Sequence, residues 1–471
     1  MTSWRNGDEL SGLNFQKEIQ VSEEGGQSKP IRFFSAGEKQ RCGARVIAVK
    51  REKIFFHIER RIIMKGSHLT LQNLKLNNFR GLRNIEINLS GKNTVFFGPN
   101  GSGKTSVLDG IALLFSSSMM KAVGRGVCSP PPVFPHDFYS GTDQLAISGQ
   151  FQFGEGEETE CWLGYRKEKN SAERSAGVFP NRYSAEDSEL PAFAYYKTNR
   201  AVLGIPSSVN RNFKKPSPYE DSFGAVDFDL FFEWFRNQSN IEEQERERRK
   251  DSDYEDPALK AACAAIYAAM PEISQLGVVK DPFKICAIKE GRLLLLEQFS
   301  DSEKCTLAMF GDIARRLSLA NPTLANPLLG GGIVLIDMVE LHLHPSVQRR
   351  IAGVLRETFP NVQFIMTTHS PQILGELYDG FKIISLEKHS GDWVSYEIRP
   401  GYYDSNFVLE AYMRTPRIDP LVDDLERILL RLAADGDVEQ AKSEIEKLSI
   451  LTSGTSLVLP EARMLLRQRE G

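Results

Sequence analysis

Apolar residues are spaced in several different ways along this chain of 471 residues, and the spacing predicts an α/β fold. Short strands that contain three or four consecutive apolar residues, typical of strands covered on both faces, are predicted at 93–97, 333–336 and 363–367. Helical spacing is found next to these strands, at 107–116 and 345–358. Because buried strands alternate with helices, we expect a central sheet that is largely parallel.

Other segments have the alternating pattern of half-buried strands or the composition of surface helices. The pattern at 69–89 predicts two strands, and 146–153 and 160–165 are predicted as strands of a side sheet. A dense run of mixed charge at 242–256 indicates a solvated helix face. We therefore divide the chain into an N-terminal extension without a clear period (1–67), a first half of the central domain (68–204), a helical insertion (205–275), a second half of the central domain (276–403) and a C-terminal helical region (404–471).

The loop that follows the buried strand 93–97 carries the clearest chemical signal. Its sequence, GPNGSGKTS at 98–106, has every fixed residue of the phosphate-loop pattern G-x-x-x-x-G-K-[ST]. Glycines let backbone N–H groups approach a polyphosphate, Lys104 is expected to reach the β- and γ-phosphates, and Thr105 is expected to bind Mg²⁺. The predicted ATP-binding residues of this loop are Gly98, Asn100, Gly101, Ser102, Gly103, Lys104, Thr105 and Ser106.

A Mg·ATP site of this kind also needs a carboxylate at the end of a buried strand. The run 333–336 ends on Asp337, which we predict as the second metal-binding residue beside Thr105. The long separation between Thr105 and Asp337 along the chain indicates two half-sites with an insertion between them.

Two further segments are candidates for contact with the γ-phosphate. The buried run 363–367 leads to His369, which we predict as a γ-phosphate sensor. Upstream, Ser300, Asp301 and Glu303 precede a helix, and either Ser300 or Asp301 is a suitable N-cap that leaves N–H groups free for an anion. We include these three residues among the predicted ATP contacts.

The order of these segments resembles the ABC-type ATPase heads of the RecF, SMC and OLD group. The segments are the phosphate loop, S-D-x-E before a helix, a buried strand ending in Asp followed by H-L-H-P, and T-T-H-S. Further stretches are similar to a bacterial family of stand-alone ATPases that includes the PtuA subunit of Septu anti-phage systems and its retron-associated relatives: NFRGL, AYYKTNRAVLGIP, FFEWFR, DIARRLSLANP and FPNVQFIMTTHSP. The resemblance covers about 68–415 and implies an ABC-ATPase head with a helical insertion and a C-terminal helical segment.

This resemblance implies a function as well as a fold. In such heads the signature segment of one subunit closes on the ATP of another, so Ser300 would donate to the γ-phosphate across a homo-oligomer interface. The resemblance implies an ATP-binding subunit of an anti-phage complex that scaffolds and regulates a separate HNH-type nuclease, with DNA as a further partner. The alternative is a RecF-like or OLD-like ATPase in DNA repair or processing.

The chain departs from the family pattern at two positions. Met338 occupies the place of the usual catalytic glutamate, and a thioether accepts no proton. Losing a positioned general base costs a factor of about 10²–10⁴ in rate, and Glu340, in the following turn, has an unfavourable position for this role. Ser302 adds a side chain where glycine is usual. We therefore expect ATP binding with weak or absent hydrolysis.

Several residues have more than one interpretation from sequence alone. His342 and His344 form either half of a metal site or, as we favour, a structural turn at a subunit interface. Arg80 and Arg200 either stabilise phosphate charge or form ordinary surface ion pairs.

Two further sequence signals concern the glutamine that senses Mg²⁺ and a second segment that resembles a signature motif. The glutamine that senses Mg²⁺ in related heads is either Gln144 or Gln150. The segment 35–39 matches a signature motif by letters, but it precedes the phosphate loop, and we interpret it as coincidental.

Composition limits the kind of surface and the cellular location that we expect for this protein. The net charge of −4 argues against a surface that is basic throughout, although a local basic groove is compatible with it. The six cysteines are scattered without a C-x-x-C pair, and no apolar run approaches the length of a membrane span. We expect a cytoplasmic protein.

Overall fold

The computed structural model of the chain describes residues 19–22, 28–34, 68–123, 131–154, 156–167, 172–176, 189–200, 218–223, 228–279, 284–378, 380–416, 418–435 and 437–470. The signature-like segment 35–39 and most of the expected extension 1–67 lie outside these ranges. The chain divides into two compact units, one ending at Gly401 and one comprising Tyr402–Gly471.

The first unit is built on a six-stranded sheet in the order β16-β15-β5-β14-β13-β9. All neighbours pair in parallel except β16, which is antiparallel to β15. The strands are β5 (Asn93–Phe97), β9 (Ala192–Tyr196), β13 (Gly332–Ile336), β14 (Val362–Thr367), β15 (Phe381–His389) and β16 (Asp392–Ile398). The predicted α/β class with a parallel core is confirmed.

This parallel arrangement determines where a site can form. Because β5, β9, β13 and β14 run in the same direction, their carboxyl ends meet at one edge of the sheet. That edge carries the phosphate loop after β5, Asp337 after β13 and His369 after β14. The uninterrupted apolar runs follow from burial on both faces, since every residue of β9, β13 and β14 is buried.

A second, antiparallel sheet has the order β4-β3-β6-β7-β8. Its strands are β3 (Leu69–Phe79), β4 (Leu82–Asn88), β6 (Gln144–Phe153), β7 (Glu157–Lys167) and β8 (Ala172–Ala176). Helix α1 (Lys104–Val123) packs against β3, β6 and β7 on one side and against β14 on the other. Gln363 links the two sheets directly, since its side chain accepts from the Leu71 N–H at 2.7 Å and donates to the Leu71 carbonyl at 3.0 Å.

A third antiparallel sheet joins the N-terminal region to the second half of the domain. Its order is β1-β2-β10-β11-β12, and β2 pairs with β10. The strands are β1 (Ile19–Ser22), β2 (Ser28–Phe34), β10 (Ile273–Val279), β11 (Lys284–Lys289) and β12 (Arg292–Leu295). The sequence analysis found no clear period in 1–67 and did not predict β1 and β2.

Further helices belong to the first unit, and some of them contact strands of the central sheet. They are α2 (Phe228–Arg249), α3 (Pro257–Ala269), α4 (Asp301–Ala320), α5 (Pro345–Thr358) and α6 (Pro371–Leu374). Short 3₁₀ turns lie at Pro135–Asp137, Leu296–Gln298 and Pro327–Leu329. The aromatic residues of the FFEWFR stretch, Phe231, Phe232, Trp234 and Phe235, are buried where α2 packs on α4.

The second unit is helical and has a core of its own. It contains α7 (Ser405–Phe407), a π turn (Val408–Tyr412), α8 (Pro420–Asp435), α9 (Val438–Leu451) and α10 (Val458–Glu470). The core residues are Leu429, Ala433, Ala441, Leu448, Leu459, Ala462 and Leu466. Of the helices in the described residues, none combines the length and the apolar character that crossing a membrane requires.

Candidate functional site

The phosphate loop connects β5 to α1 at the edge where the parallel strands end. Gly98 and Gly103 have φ angles of 142° and 90°, which side-chain-bearing residues rarely adopt. A Cβ at Gly98 would lie 2.6 Å from the Leu386 carbonyl oxygen, and one at Gly103 would lie 2.8 Å from a Leu82 methyl group. Both glycines are therefore required by close packing beneath the loop.

Lys104, the first residue of α1, folds back over this loop. Its ammonium group donates to the carbonyl oxygens of Gly98 and Pro99, both at 2.9 Å. Burial lowers the pKa of this ammonium group, and the negative charges of Asp337 and Glu340 oppose that effect. Lys104 thus lies over the loop and within electrostatic reach of both carboxylates.

The two predicted metal-binding residues are brought together. The Thr105 hydroxyl donates to Asp337 Oδ2 at 2.8 Å, and the Thr367 hydroxyl donates to Asp337 Oδ1 at 2.5 Å. Asp337 is 3% exposed, so hydrogen bonds replace the water that its charge would otherwise need. A hydroxyl and a carboxylate are hard oxygen ligands of the type that Mg²⁺ prefers, and this pair fits a Mg²⁺ ion that is also bound by phosphates. Sequence reasoning missed Thr367, although the T-T-H-S stretch contains it.

The backbone after Asp337 is held in an unusual conformation. Met338 has a φ of 51°, and its N–H donates to the Thr367 hydroxyl at 2.7 Å. The Met338 side chain is half-buried.

Glu340 lies closer to the nucleotide site than the sequence suggests. One carboxylate oxygen accepts from the Thr368 hydroxyl at 2.8 Å, and the other accepts from the His369 N–H at 2.7 Å. Its charge also acts on Lys104 and His369. The carboxylate therefore braces the end of β14, with both oxygens engaged in hydrogen bonds.

His369 follows β14 and is half-buried near Lys104. Burial lowers its pKa below the ordinary value, and the positive charge of Lys104 lowers it further. The imidazole is therefore neutral at neutral pH and keeps both a donor and an acceptor nitrogen.

Ser300 is the N-cap of α4, which decides between the two residues considered from sequence. The Ser300 side chain accepts from the Glu303 N–H at 3.4 Å, and the Ser300 N–H donates to the Glu303 carboxylate at 3.0 Å. Glu303 also pairs with Lys289, and the Asp301 side chain is 83% exposed. In the described ranges, no hydrogen bond or ion pair joins this signature segment to the loop 98–106 of the same chain.

Arg200 and Arg80 have different surroundings. Arg200 is 3% exposed, and its guanidinium donates to the carbonyl oxygens of Asp337 and Met338, both at 2.5 Å. Arg80 pairs with Asp109 and, at 2.8 Å, with Asp137. Arg80 thus forms a partly buried ion-pair network, whereas Arg200 binds main-chain oxygens beside the metal-binding residue.

The remaining candidates lie away from these contacts. The side chains of Gln144 and Gln150 are both exposed on β6. His344 caps α5 by accepting from the Ser346 N–H at 3.3 Å, and His342 is exposed in the preceding turn. The described part of the chain contains no group of three His, Cys, Asp or Glu residues arranged to hold a metal ion.

Comparison with known families assigns ATPase domains to this chain. Residues 70–255 match the family described as "AAA ATPase domain", and residues 206–375 match the one described as "AAA domain, putative AbiEii toxin, Type IV TA system". These stretches are therefore similar to ATPase domains of the AAA type, in agreement with the strand, loop and helix arrangement around Lys104.

Curated relatives extend the comparison to whole proteins. The retron Ec83 probable ATPase of Escherichia coli is 28% identical over 66% of this chain and 70% of the relative. The Septu protein PtuA of Bacillus thuringiensis is 24% identical over 65% of this chain and 73% of the relative. Among solved structures, RecF bound to ATPrS matches 71% of this chain and 100% of that chain, with 13% identity and a TM-score of 0.39. Retron ATPases and Septu PtuA are thus homologues of this chain, and the resemblance in the sequence is confirmed.

Proposed function

We propose that this chain is the ATP-binding subunit of a bacterial anti-phage defence complex and that Mg·ATP joins copies of it through their heads. The homology to retron and Septu ATPases supports the defence role. One observation carries the ATP-dependent assembly: Thr105 and Asp337 meet beside Lys104, whereas the signature residue Ser300 is exposed and lacks a contact with this loop in the described residues. A second copy of the chain would supply the signature segment that completes the ATP site.

The chemistry of ATP binding follows from the residues at the edge of the sheet. Backbone N–H groups of the loop and the ammonium group of Lys104 would bind the phosphates. Thr105 and Asp337 would hold Mg²⁺ between them, and neutral His369 would form a hydrogen bond with the γ-phosphate. With a thioether at Met338 and both Glu340 oxygens already hydrogen-bonded, neither of these two positions offers an unengaged carboxylate to the attacking water. ATP would then act as a structural ligand.

The resemblance to PtuA also implies a separate nuclease subunit of the HNH type. We propose that the ATP-bound assembly scaffolds this nuclease and that a change in ATP occupancy regulates it. The second unit, Tyr402–Gly471, is the proposed docking element, because it has its own core and many exposed apolar side chains.

The assembly is tested by measuring molecular mass with and without Mg·ATP. Wild-type protein should shift to dimers or larger species, and Lys104→Ala should remain at the mass of the nucleotide-free form. Asp301→Trp should also fail to assemble with Mg·ATP. An indole on this exposed first turn of α4 blocks the approach of a second head without disturbing the Ser300 cap.

Mixing the two variants distinguishes a closed pair of heads from a head-to-tail contact. A head-to-tail contact uses one site, with the loop from the Asp301→Trp chain and the signature from the Lys104→Ala chain, so the mixture should assemble with ATP. In a closed pair the indole still faces the second loop, so the mixture should not assemble. A wild-type mass that is unaffected by Mg·ATP, or full assembly by the Lys104→Ala chain alone, would contradict the proposal.

A further inference from the structure

A short segment after β9 touches all three parts of the candidate ATP site. This segment, 196–200, begins with the last residue of β9 and ends with the buried Arg200. We call it the 196–200 linker. Its long-range contacts join residues between 88 and 141 positions apart, and no local pattern in the sequence indicates them.

On the metal side, the linker holds the main chain of Asp337 from two directions. The Asp337 N–H donates to the Tyr196 carbonyl oxygen at 2.8 Å, which extends the pairing of β13 with β9. Arg200 donates to the Asp337 carbonyl oxygen, and through its second terminal nitrogen to that of Met338. A shift of the Asp337 backbone would therefore move the linker.

On the signature side, the same two residues hold α4. The Tyr196 hydroxyl donates to Asp312 Oδ2 at 2.8 Å, and the Cys305 thiol donates to the Arg200 carbonyl oxygen at 3.5 Å. Asp312 is fully buried and forms ion pairs with Arg315 at 2.6 Å and Arg316 at 2.8 Å, so it is a stiff anchor. The linker thus reaches the helix whose N-cap is Ser300.

A third contact reaches the helix that starts at the phosphate loop. The Lys197 ammonium lies 3.4 Å from Asp109 Oδ1, and Asp109 belongs to α1. The linker is therefore connected to α1, to the end of β13 and to α4.

Arg200 has a feature that simple stabilisation explains poorly. No described carboxylate lies within ion-pair distance of its guanidinium, although burial lowers its pKa and makes its charge costly. Burying a charge without an ion-pair partner is costly unless hydrogen bonds compensate for the lost water. Its two bonds to adjacent carbonyl oxygens suit a role in fixing backbone position.

We propose that the 196–200 linker couples Mg·ATP at Thr105 and Asp337 to the position of α4 and its signature residue Ser300, with Arg200 as the main positioning residue. This inference rests on the proposed function, because it assumes that Asp337 binds Mg·ATP. Binding would replace the Thr105–Asp337 hydrogen bond, and the resulting shift of Asp337 would pass through Tyr196 and Arg200 to the first turns of α4. The signature would then be presented only by an ATP-bound head.

Amide hydrogen exchange of α4 tests the coupling within one chain. All proteins carry Asp301→Trp, so that assembly does not contribute to protection. With Arg200 intact, saturating Mg·ATP should change the exchange rate of the amides at 302–306 by at least about threefold. Arg200→Gln should reduce this change to less than about 1.5-fold while ATP affinity stays within about tenfold of the parent, because the phosphate-binding groups remain. Arg200→Lys should restore part of it.

Two further variants separate coupling from loss of folding. Arg356→Gln removes a half-buried arginine on α5, which contacts Tyr378, and should leave the exchange change intact. Tyr196→Phe removes only the hydroxyl that reaches Asp312 and should weaken the change even if Arg200→Gln unfolds. A parental exchange change in both Arg200→Gln and Tyr196→Phe would overturn the linker proposal, as would ATP binding by the parent without any change at α4. Failure of the wild type to bind ATP would instead contradict the proposed function.

Discussion

At the scale of single residues, the unusual feature of the site is the methionine after Asp337, the predicted metal-binding aspartate. Hydrogen bonds from Met338 to Thr367 and from Arg200 to Met338 hold the backbone at this position. The nearby carboxylate of Glu340 is hydrogen-bonded by Thr368 and His369. We therefore expect the rate of hydrolysis to depend on whether a base is present at position 338.

We expect slow ATP turnover by the wild type and an increase of about 10²-fold in Met338→Glu, because a positioned base typically contributes 10²–10⁴-fold. The measurement is phosphate release under saturating Mg·ATP. Met338→Gln is the matched control, since it has nearly the shape of glutamate but does not accept the proton, and it should remain slow.

Fast ATP turnover by the wild type would point to Glu340 as the general base. If wild-type turnover is fast and Glu340→Gln abolishes it while ATP still binds, Glu340 is the base despite its two hydrogen bonds. That outcome would contradict the assignment of ATP as a structural ligand.

Sequence reasoning identified those site residues that belong to local motifs. Lys104, Thr105 and Asp337 each stand at a fixed place relative to a strand, so pattern alone located them. The sequence left Arg200 between a phosphate contact and a surface ion pair and did not reveal the hydrogen bond of Tyr196. The partners Asp337 and Asp312 lie far along the chain, and only the fold brings them together with these two residues. Their buried hydrogen bonds produce no periodic pattern in the sequence.

At the scale of elements, α4 combines a functional N-terminus with a tightly packed middle. Its Gly311 lies against the ring of Phe231 on α2, where an added Cβ would come within 2.2 Å of the ring. Gly353 in α5 has open space instead, with nothing within 4 Å of an added Cβ. These two helical glycines therefore allow packing and helix propensity to be compared.

We expect Gly311→Ala to destabilise the protein by about 1–3 kcal/mol, because overpacking at a buried ring outweighs the gain of about 1 kcal/mol in helix propensity. Gly353→Ala should stabilise it by about 0.5–1 kcal/mol, since only the propensity term acts there. Denaturant unfolding of both variants beside the wild type measures the difference. Stabilisation by Gly311→Ala would show that α2 and α4 are packed less closely than described.

Strands and helices with a clear hydrophobic pattern could be predicted from the sequence, and those without such a pattern could not. The buried strands at Asn93–Phe97 and Gly332–Ile336 agree with the apolar runs because both of their faces are covered. The strands Ile19–Ser22 and Ser28–Phe34 were not predicted: the first pairs with the second, and the second pairs with the distant strand Ile273–Val279. Long-range pairing of this kind depends on the complete fold.

At the scale of the whole molecule, exposed apolar side chains are concentrated in one unit. Eight of the twelve large exposed apolar residues in the described ranges belong to the 70 residues of Tyr402–Gly471, which favours a docking role for this unit. They are Tyr402, Phe407, Leu421, Ile428, Ile450, Leu451, Leu457 and Met464. The sequence predicted the helices of this unit, but which of their apolar residues stay outside the core became clear only from the structure.

We expect Ile450→Lys combined with Leu457→Lys to weaken co-purification with the proposed HNH-type nuclease subunit by at least about tenfold, because charges would replace two apolar side chains that are each 74% exposed. Phe134→Lys is the control, since this exposed phenylalanine belongs to the first unit, and it should bind the partner normally. ATP-dependent assembly should persist in all of these variants, because the head residues Lys104, Asp337 and Ser300 are unchanged. Normal nuclease binding by the double variant would exclude this face as the docking surface. If the double variant loses both its assembly and its nuclease binding, the nuclease recognises the assembled heads instead.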